Sequence, residues 1–341
     1  MRLLTRRSQI WTEMIVDQIL THNESEERVL KEHLDFCTVE EPLVLQLGGC
    51  NPESLARATR IAYDYGYRSE INLNAGCPSC RVAGKGEFGA TLMKKPHLVQ
   101  ECLKAMSQAA PVSISLKTRL GVDELDSNEF FDSFVDSILS TPFSGSANFS
   151  LVVHARKAWL NGLSPAQNRT IPPLNYDRAF AVCGSKPGLK RWYLNGGIET
   201  LEEAVKIFSC APLNMEGVMM GRAAMSTPCV FANADVLLYG EETNPITATT
   251  RRSLLEGYCD YLHDKYSVDP DRTVTSGMVF LAMKPVLGIF HGMRGNKYWR
   301  NSLDKFSRDA DLRKELGVAG IIKEALQEVD NNILDYPLVS E

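Results

Sequence analysis

The stretch Glu70-Ile71-Asn72-Leu73-Asn74-Ala75-Gly76-Cys77-Pro78-Ser79-Cys80 carries the densest chemistry in the chain. Ile71 and Leu73 alternate with Asn72 and Asn74 as in a short half-buried strand, and Gly76 and Pro78 end the extended run. Cys77 is thereby set on a strand-to-loop corner, where in a barrel of parallel strands a thiol is placed to act on a ligand. A buried structural cysteine is the other reading of the same residue. Cys77 and Cys80 form a Cys-x-x-Cys pair, which suits a redox couple or half of a zinc site. No second close pair of cysteines or histidines is spaced to complete a tetrahedral site, so no metal is expected.

Six polar residues, Gln46, Asn74, Lys117, His154, Asn195 and Arg222, fall where apolar runs stop. In a closed barrel such strand ends share one mouth. Gly196-Gly197 and Gly221-Arg222, from the last two runs, fit a phosphate cradle in which backbone amides approach closely and an arginine supplies a fork.

The elements that must position these residues alternate in type. Strand patterns occupy 10–15, 43–47, 70–74, 112–116, 149–153, 192–194 and 217–220, with helical patterns over 16–21, 52–65, 96–107 and 127–140 between them. Residues 1–8 read as the end of a helix. The alternation predicts an α/β fold, a (β/α)8 TIM barrel. Seven strands are counted where eight are needed, and the missing one is the first. Beyond Ala234 the alternation stops. Asn244-Pro245 and 247–250 read as a linker into a helical end domain with periods over 251–263, 275–290 and 298–306. Lys297 and Arg300, three apart on one helix face and close to Arg294, form a basic cluster.

The 341 residues carry a net charge of −5, with 44% hydrophobic and 23% charged residues, enough for one large domain and a smaller one. No apolar run is long enough to span a membrane. Nine cysteines without framework spacing point to a reducing, cytoplasmic compartment. Arg2, Arg6 and Arg7 precede the first acidic residue, a faint transit-peptide pattern. The acidity excludes a uniformly basic nucleic-acid binder, not one with a local basic patch.

Asn74-Ala75-Gly76-Cys77-Pro78-Ser79, with Val82 and Gly89-Ala90-Thr91-Leu92-Met93 behind it, resembles the active-site signature of the tRNA-dihydrouridine synthases, closest to their A-type branch. The resemblance runs from Leu3 to about Phe306. It implies that Cys77 is the general acid protonating C5 of a uracil, while reduced FMN delivers hydride to C6 and Asn74 contacts the target nucleotide. An ordinary thiol is largely protonated at neutral pH, which suits that role. By the same resemblance Gln46, Lys117, His154, Asn195, Gly196, Gly197, Gly221 and Arg222 are flavin contacts. NADPH is the reductant, and the uridine lies in the D-loop of tRNA, flipped from its stack to be reached. Leu160-Asn161-Gly162-Leu163-Ser164-Pro165-Ala166-Gln167-Asn168-Arg169 resembles the loop over the flavin, with Arg169 a tRNA contact. Ala166 stands where A-type enzymes usually carry lysine. Lys297 and Arg300 align with two RNA-contacting arginines.

The organisation expected is a flavin-binding barrel over 1–240, a helical tRNA-binding domain over 245–325 and a loose tail over 326–341, with no obligate protein partner. Family members open with a strand whose Ala-Pro-Met turn lies against the flavin, and no such residues precede Met1. Three alternatives stay open beside the synthase: a catalytically impaired RNA-binding relative, if the missing strand prevents flavin binding; an FMN oxidoreductase acting on a small molecule, which the acidity favours; and a thiol-redox or zinc protein built on Cys77 and Cys80.

Overall fold

The computed structural model describes residues 1–79, 87–140, 149–244, 246, 248–267 and 274–339. Among the described residues seven strands, β1 (Ile10–Val16), β2 (Leu43–Gly48), β3 (Glu70–Asn74), β4 (Ser113–Arg119), β5 (Phe149–His154), β6 (Trp192–Asn195) and β7 (Met215–Met219), form one parallel sheet in sequence order. Helices follow each strand, the order of a parallel (β/α) barrel, and a set of helices succeeds the last strand. The chain divides into two compact units. One holds residues 9–198 and 206–220, and the other holds 1–8, 199–205 and 221–341.

In the sheet unit, local chemistry sets the helices. Asn51 accepts the Ser54 N–H at 2.9 Å, Pro52 occupies the first turn, and Gly66 (φ 136°) closes the helix Pro52–Tyr65. Its apolar positions Leu55, Ala58, Ile61 and Ala62 recur at helical spacing and are buried. Full burial of a leucine such as Leu55 contributes roughly 1.5–3 kcal/mol.

The alternation in β3 has a different cause from the one its pattern suggests. All five residues of the strand are buried, so Asn72 and Asn74 do not mark a solvent face. A parallel sheet is covered on both sides. Ile71 and Leu73 join the main apolar core, while Glu70, Asn72 and Asn74, on the other face, are satisfied by side chains of neighbouring strands. Strands also run further than the apolar runs do. Gln46 pairs with Asn72 inside β2, and Lys117 pairs with Asn74 inside β4.

In the other unit, residues 1–8 form turns, not a helix end. The buried Asp235 carboxylate accepts the N–H groups of Arg6 and Arg7 at 2.7 and 3.2 Å and the Thr5 hydroxyl, while the Arg2 guanidinium donates to the carbonyls of Thr5, Arg6 and Ser8. These partners replace helical bonds. Helices Arg251–Ser267, Ser276–Met283, Asn296–Arg308 and Ala310–Leu326 follow, the last interrupted at Gly317 (φ 66°). The expected tail is structured. Val329 and Leu334 are buried, a short helix spans Asn331–Leu334, and the Leu338 N–H bonds the Thr249 carbonyl. Leu326, Val329 and Leu334 are buried in spite of the acidic residues around them. Pro245 and Thr247 of the expected linker lie outside the described residues. Among the described residues no helix is long and apolar enough to cross a membrane.

Candidate active site

Asn74 ends β3, and its side chain does two things at once. Its Oδ1 accepts the N–H groups of Gly76 and Cys77, at 3.0 and 2.9 Å, while its Nδ2 donates to Gln46 Oε1 at 2.8 Å. An Asx-type bond of this kind replaces the ladder partners lost where the strand stops. The turn therefore leaves the strand with its direction fixed. Cys77 is half-buried on it, and its carbonyl accepts the Ala90 N–H at 2.9 Å. Cys80, Val82, Gly84 and Gly86 lie outside the described residues.

One register position along, β4 contributes Lys117 and Arg119, two apart and so on one face. Lys117 Nζ donates to Asn195 Oδ1 at 3.0 Å, and Asn195 Nδ2 donates to the Met219 carbonyl at 2.7 Å. Burial, with the charge of Arg119 and then Arg169 acting the same way, pulls the Lys117 ammonium down from its ordinary 10.5 to about 7. Arg119 is buried. Its guanidinium donates to the carbonyl of Gly76 at 3.1 Å and to those of Lys157 and Asn168 at 3.2 and 2.9 Å. It thus ties the thiol turn to the loop that follows β5. Burial pulls it down to about 10, which leaves it charged at neutral pH.

That loop is held at further points. Arg156 donates to the carbonyls of Thr170 and Pro172, and the Asn168 side chain bonds both the N–H and the carbonyl of Trp159. Arg169, on the short turn Gln167–Arg169, is exposed. Ala166 is exposed beside it.

His154 ends β5, paired with Asn195. Burial first, and then the cations Arg119, Lys117, Arg156 and Arg169, push its pKa far down and hold the imidazole neutral. Gly196 (φ 117°) and Gly197 (φ 74°) form the turn after β6. A Cβ would lie 2.7 Å from His154 Cδ2 at the first and 2.6 Å from Leu174 Cδ1 at the second, so both positions require glycine. The Tyr176 hydroxyl donates to the Gly196 carbonyl.

The structure therefore brings together Gln46, Asn74, Cys77, Lys117, His154, Asn195, Gly196, Gly197 and Arg169 in the sheet unit. Gly221 and Arg222 belong to the other unit, where they open the helix Gly221–Ser226 and the Arg222 guanidinium lies 3.7 Å from Glu199. Lys297 and Arg300 are exposed on the helix Asn296–Arg308 of that unit, flanking the buried Trp299, whose indole N–H bonds the Val286 carbonyl at 3.1 Å. Arg119 and Arg156 are site residues that the sequence motifs contain but that strand-end reasoning did not single out. For Arg119 the spacing was a signal, since it lies two residues beyond Lys117 in β4 and so on its face; Arg156 lies on the bend after β5 and had none.

The donor set fits FMN. A ligand with an anionic phosphate and an electron-rich ring edge suits a lysine, four further polar side chains and a two-glycine turn, all at or within two residues of the carboxyl ends of parallel strands. Among the described residues no three His, Cys, Asp or Glu side chains converge as a metal site requires.

Fold and site together define a parallel-barrel enzyme with a thiol and a cluster of cations at its strand ends. Comparison with known proteins narrows this. A sequence model of the family described as Dihydrouridine synthase (Dus) matches residues 1–327. The chain is 35% identical over 333 residues to the tRNA-dihydrouridine(20/20a) synthase of Shewanella oneidensis, covering 98% of this chain and 90% of that one. It is 39% identical over 330 residues to the protein of that name from Xanthomonas axonopodis pv. citri, with 96% and 88% coverage. For the Vibrio vulnificus protein of that name the identity is 38% over 305 residues, with 89% and 85% coverage. The chain belongs to the dihydrouridine synthase family of flavin-dependent oxidoreductases.

Proposed function

We propose that this protein reduces uridine to 5,6-dihydrouridine at position 20 or 20a of tRNA, in the D-loop, with Cys77 as the proton donor and NADPH as the reductant. The observation that carries the reading is the Cys77 turn. A half-buried thiol has its backbone N–H held by Asn74, and its turn is tied through Arg119 to the loop bearing Arg169.

Gln46, Lys117, His154, Asn195, Gly196 and Gly197 hold the FMN, which supplies the hydride for C6 of the uracil when bound. Cys77 gives the thiol proton to C5, so that one hydride and one proton saturate the C5–C6 bond. The Lys117 ammonium, charged when an anionic partner lies beside it, stabilises negative charge on the ring it faces. Asn74 orients the nucleotide with the part of its amide not engaged by Gln46 and the turn. Arg169 meets the tRNA backbone, and Lys297 and Arg300 on the other unit bind phosphates further along it. The eight cysteines among the described residues are all free thiols, in keeping with a reducing, cytoplasmic setting.

The test is direct. The purified chain should show a flavin visible spectrum and, given NADPH, should convert uridine in a tRNA bearing it at 20 and 20a, read by nucleoside mass spectrometry. The same tRNA with cytidine at both positions should yield no new dihydrouridine. Equal conversion of both substrates, or none of either by flavin-loaded protein, would overturn the assignment.

A further inference from the structure

Glu70 is buried at the start of β3, at the far end of the strand from Asn74, and the chemistry above makes no use of it. Yet hydrogen bonds run from it to the thiol turn without a break. The Ser115 hydroxyl donates to Glu70 Oε1 at 2.6 Å. Ser115 Oγ in turn accepts from Asn72 Nδ2 at 2.7 Å, Asn72 Oδ1 from Gln46 Nε2 at 3.0 Å, and Gln46 Oε1 from Asn74 Nδ2 at 2.8 Å. Asn74 Oδ1 closes the series on the N–H groups of Gly76 and Cys77.

Every donor in this series points toward Glu70. Amides and hydroxyls can each donate or accept, so a row of them can run either way. Only its two ends decide. At one end the backbone N–H groups of Gly76 and Cys77 can only donate. At the other an ionised carboxylate can only accept. If the Glu70 end could donate, the row could reverse, and Asn74 would turn its NH₂ toward two N–H groups that need an acceptor.

We infer that Glu70 is a positioning residue for Cys77: its carboxylate, as terminal acceptor of the Ser115–Asn72–Gln46–Asn74 row, fixes the orientation of the Asn74 amide and through it the thiol turn. This rests on the proposed function for its catalytic consequence, though not for its structural one. Burial raises the Glu70 pKa, while the Ser115 hydrogen bond, the charge of Arg191 and the Gln9 side chain pull the other way. Glu70→Gln imitates the reversed end with the same shape, since an amide presents both a donor and an acceptor. Ser115→Ala cuts the row and leaves the carboxylate in place.

The experiment uses the full chain and two readouts. The first is the rate of iodoacetamide alkylation at Cys77, followed by peptide mass spectrometry with the exposed Cys210 as internal reference. Glu70→Gln and Ser115→Ala should each raise that rate about threefold or more as the turn loosens, with the Cys210 rate unchanged. The double variant should match either single one, because both act through one row. The second readout is kcat for uridine reduction at saturating tRNA, expected to fall about tenfold in each variant and no further in the pair, with flavin stoichiometry kept. A general loosening of the barrel would instead give losses that multiply and a change at Cys210. Parental alkylation of Cys77 in Glu70→Gln, or additive effects in the pair, would overturn the inference. A parent protein that never reduces uridine would sink the proposed function, while the alkylation rates would still decide this one.

Discussion

Lys117 is a cation placed where the protein alone does not favour it. In the unfolded chain its ammonium titrates near 10.5, and in the fold at about 7. The folded pKa is the lower one and the protonated form is the charged one. The unfolded chain therefore holds more protons between those two values, and the contribution of Lys117 to stability rises with pH through that window. Integrated over that gap, the penalty is about 4 kcal/mol at pH 7 and about 2 at pH 9. Lys117 as a residue is only half-buried, and solvent screening on that scale brings these to roughly 2 and 1 kcal/mol.

Lys117→Met removes the penalty but also the bond to Asn195, worth about 1 kcal/mol. The flavin-free variant should thus be more stable than its parent by about 1 kcal/mol at pH 7 and about equal to it at pH 9. Urea unfolding of both proteins, freed of flavin, at the two pH values reads this directly. The same variant should bind FMN at least about tenfold more weakly, since an anionic ligand recharges the lysine. A stability difference that stays constant with pH, or that favours the parent at pH 7, would refute the reasoning, as would unchanged FMN affinity.

Other outcomes follow from the same geometry. Cys77→Ala should keep its flavin spectrum and lose about 10²- to 10⁴-fold in tRNA turnover, measured in single-turnover assays; unchanged turnover would remove the thiol from the chemistry. Gly197→Ala should come off a column colourless, since its φ of 74° and a Cβ 2.6 Å from Leu174 Cδ1 force the turn to move; retained flavin would show that the turn is not part of the cradle. Lys297→Glu with Arg300→Glu should leave the flavin bound and weaken tRNA binding at least about tenfold, with a shallower salt dependence in filter binding; an unaltered salt slope would take this helix out of the interface.

The fold was legible because parallel strands bury both faces. Runs such as Leu43–Leu47 and Ser150–Val153 are apolar almost throughout and leave polar residues only toward their ends. What such runs do not reveal is how far a strand continues past its last apolar residue, and so Gln46 and Lys117 lie inside strands and not at their tips. The interior polar face of β3 was visible as alternation but not as burial, because hydrogen-bonded asparagines and solvated ones look alike in sequence. Arg156 was hidden for a related reason: its work is done on backbone carbonyls, which carry no sequence signature. Residues 1–8 were misread because the group that bends them, Asp235, lies 230 positions away from Thr5.

That separation bears on how the molecule comes to be made. The bond from Thr5 to Asp235 closes a loop of 230 residues, and residues 1–8 leave the ribosome long before their acceptor exists. During synthesis the opening segment must wait, its amides solvated, while the strands assemble behind it. Non-local closure of this kind is slow relative to local pairing. Protection of the Arg6 and Arg7 amides is therefore expected among the last events of folding, and their opening among the first of unfolding, so residues 1–8 act as a latch on the segment around Asp235.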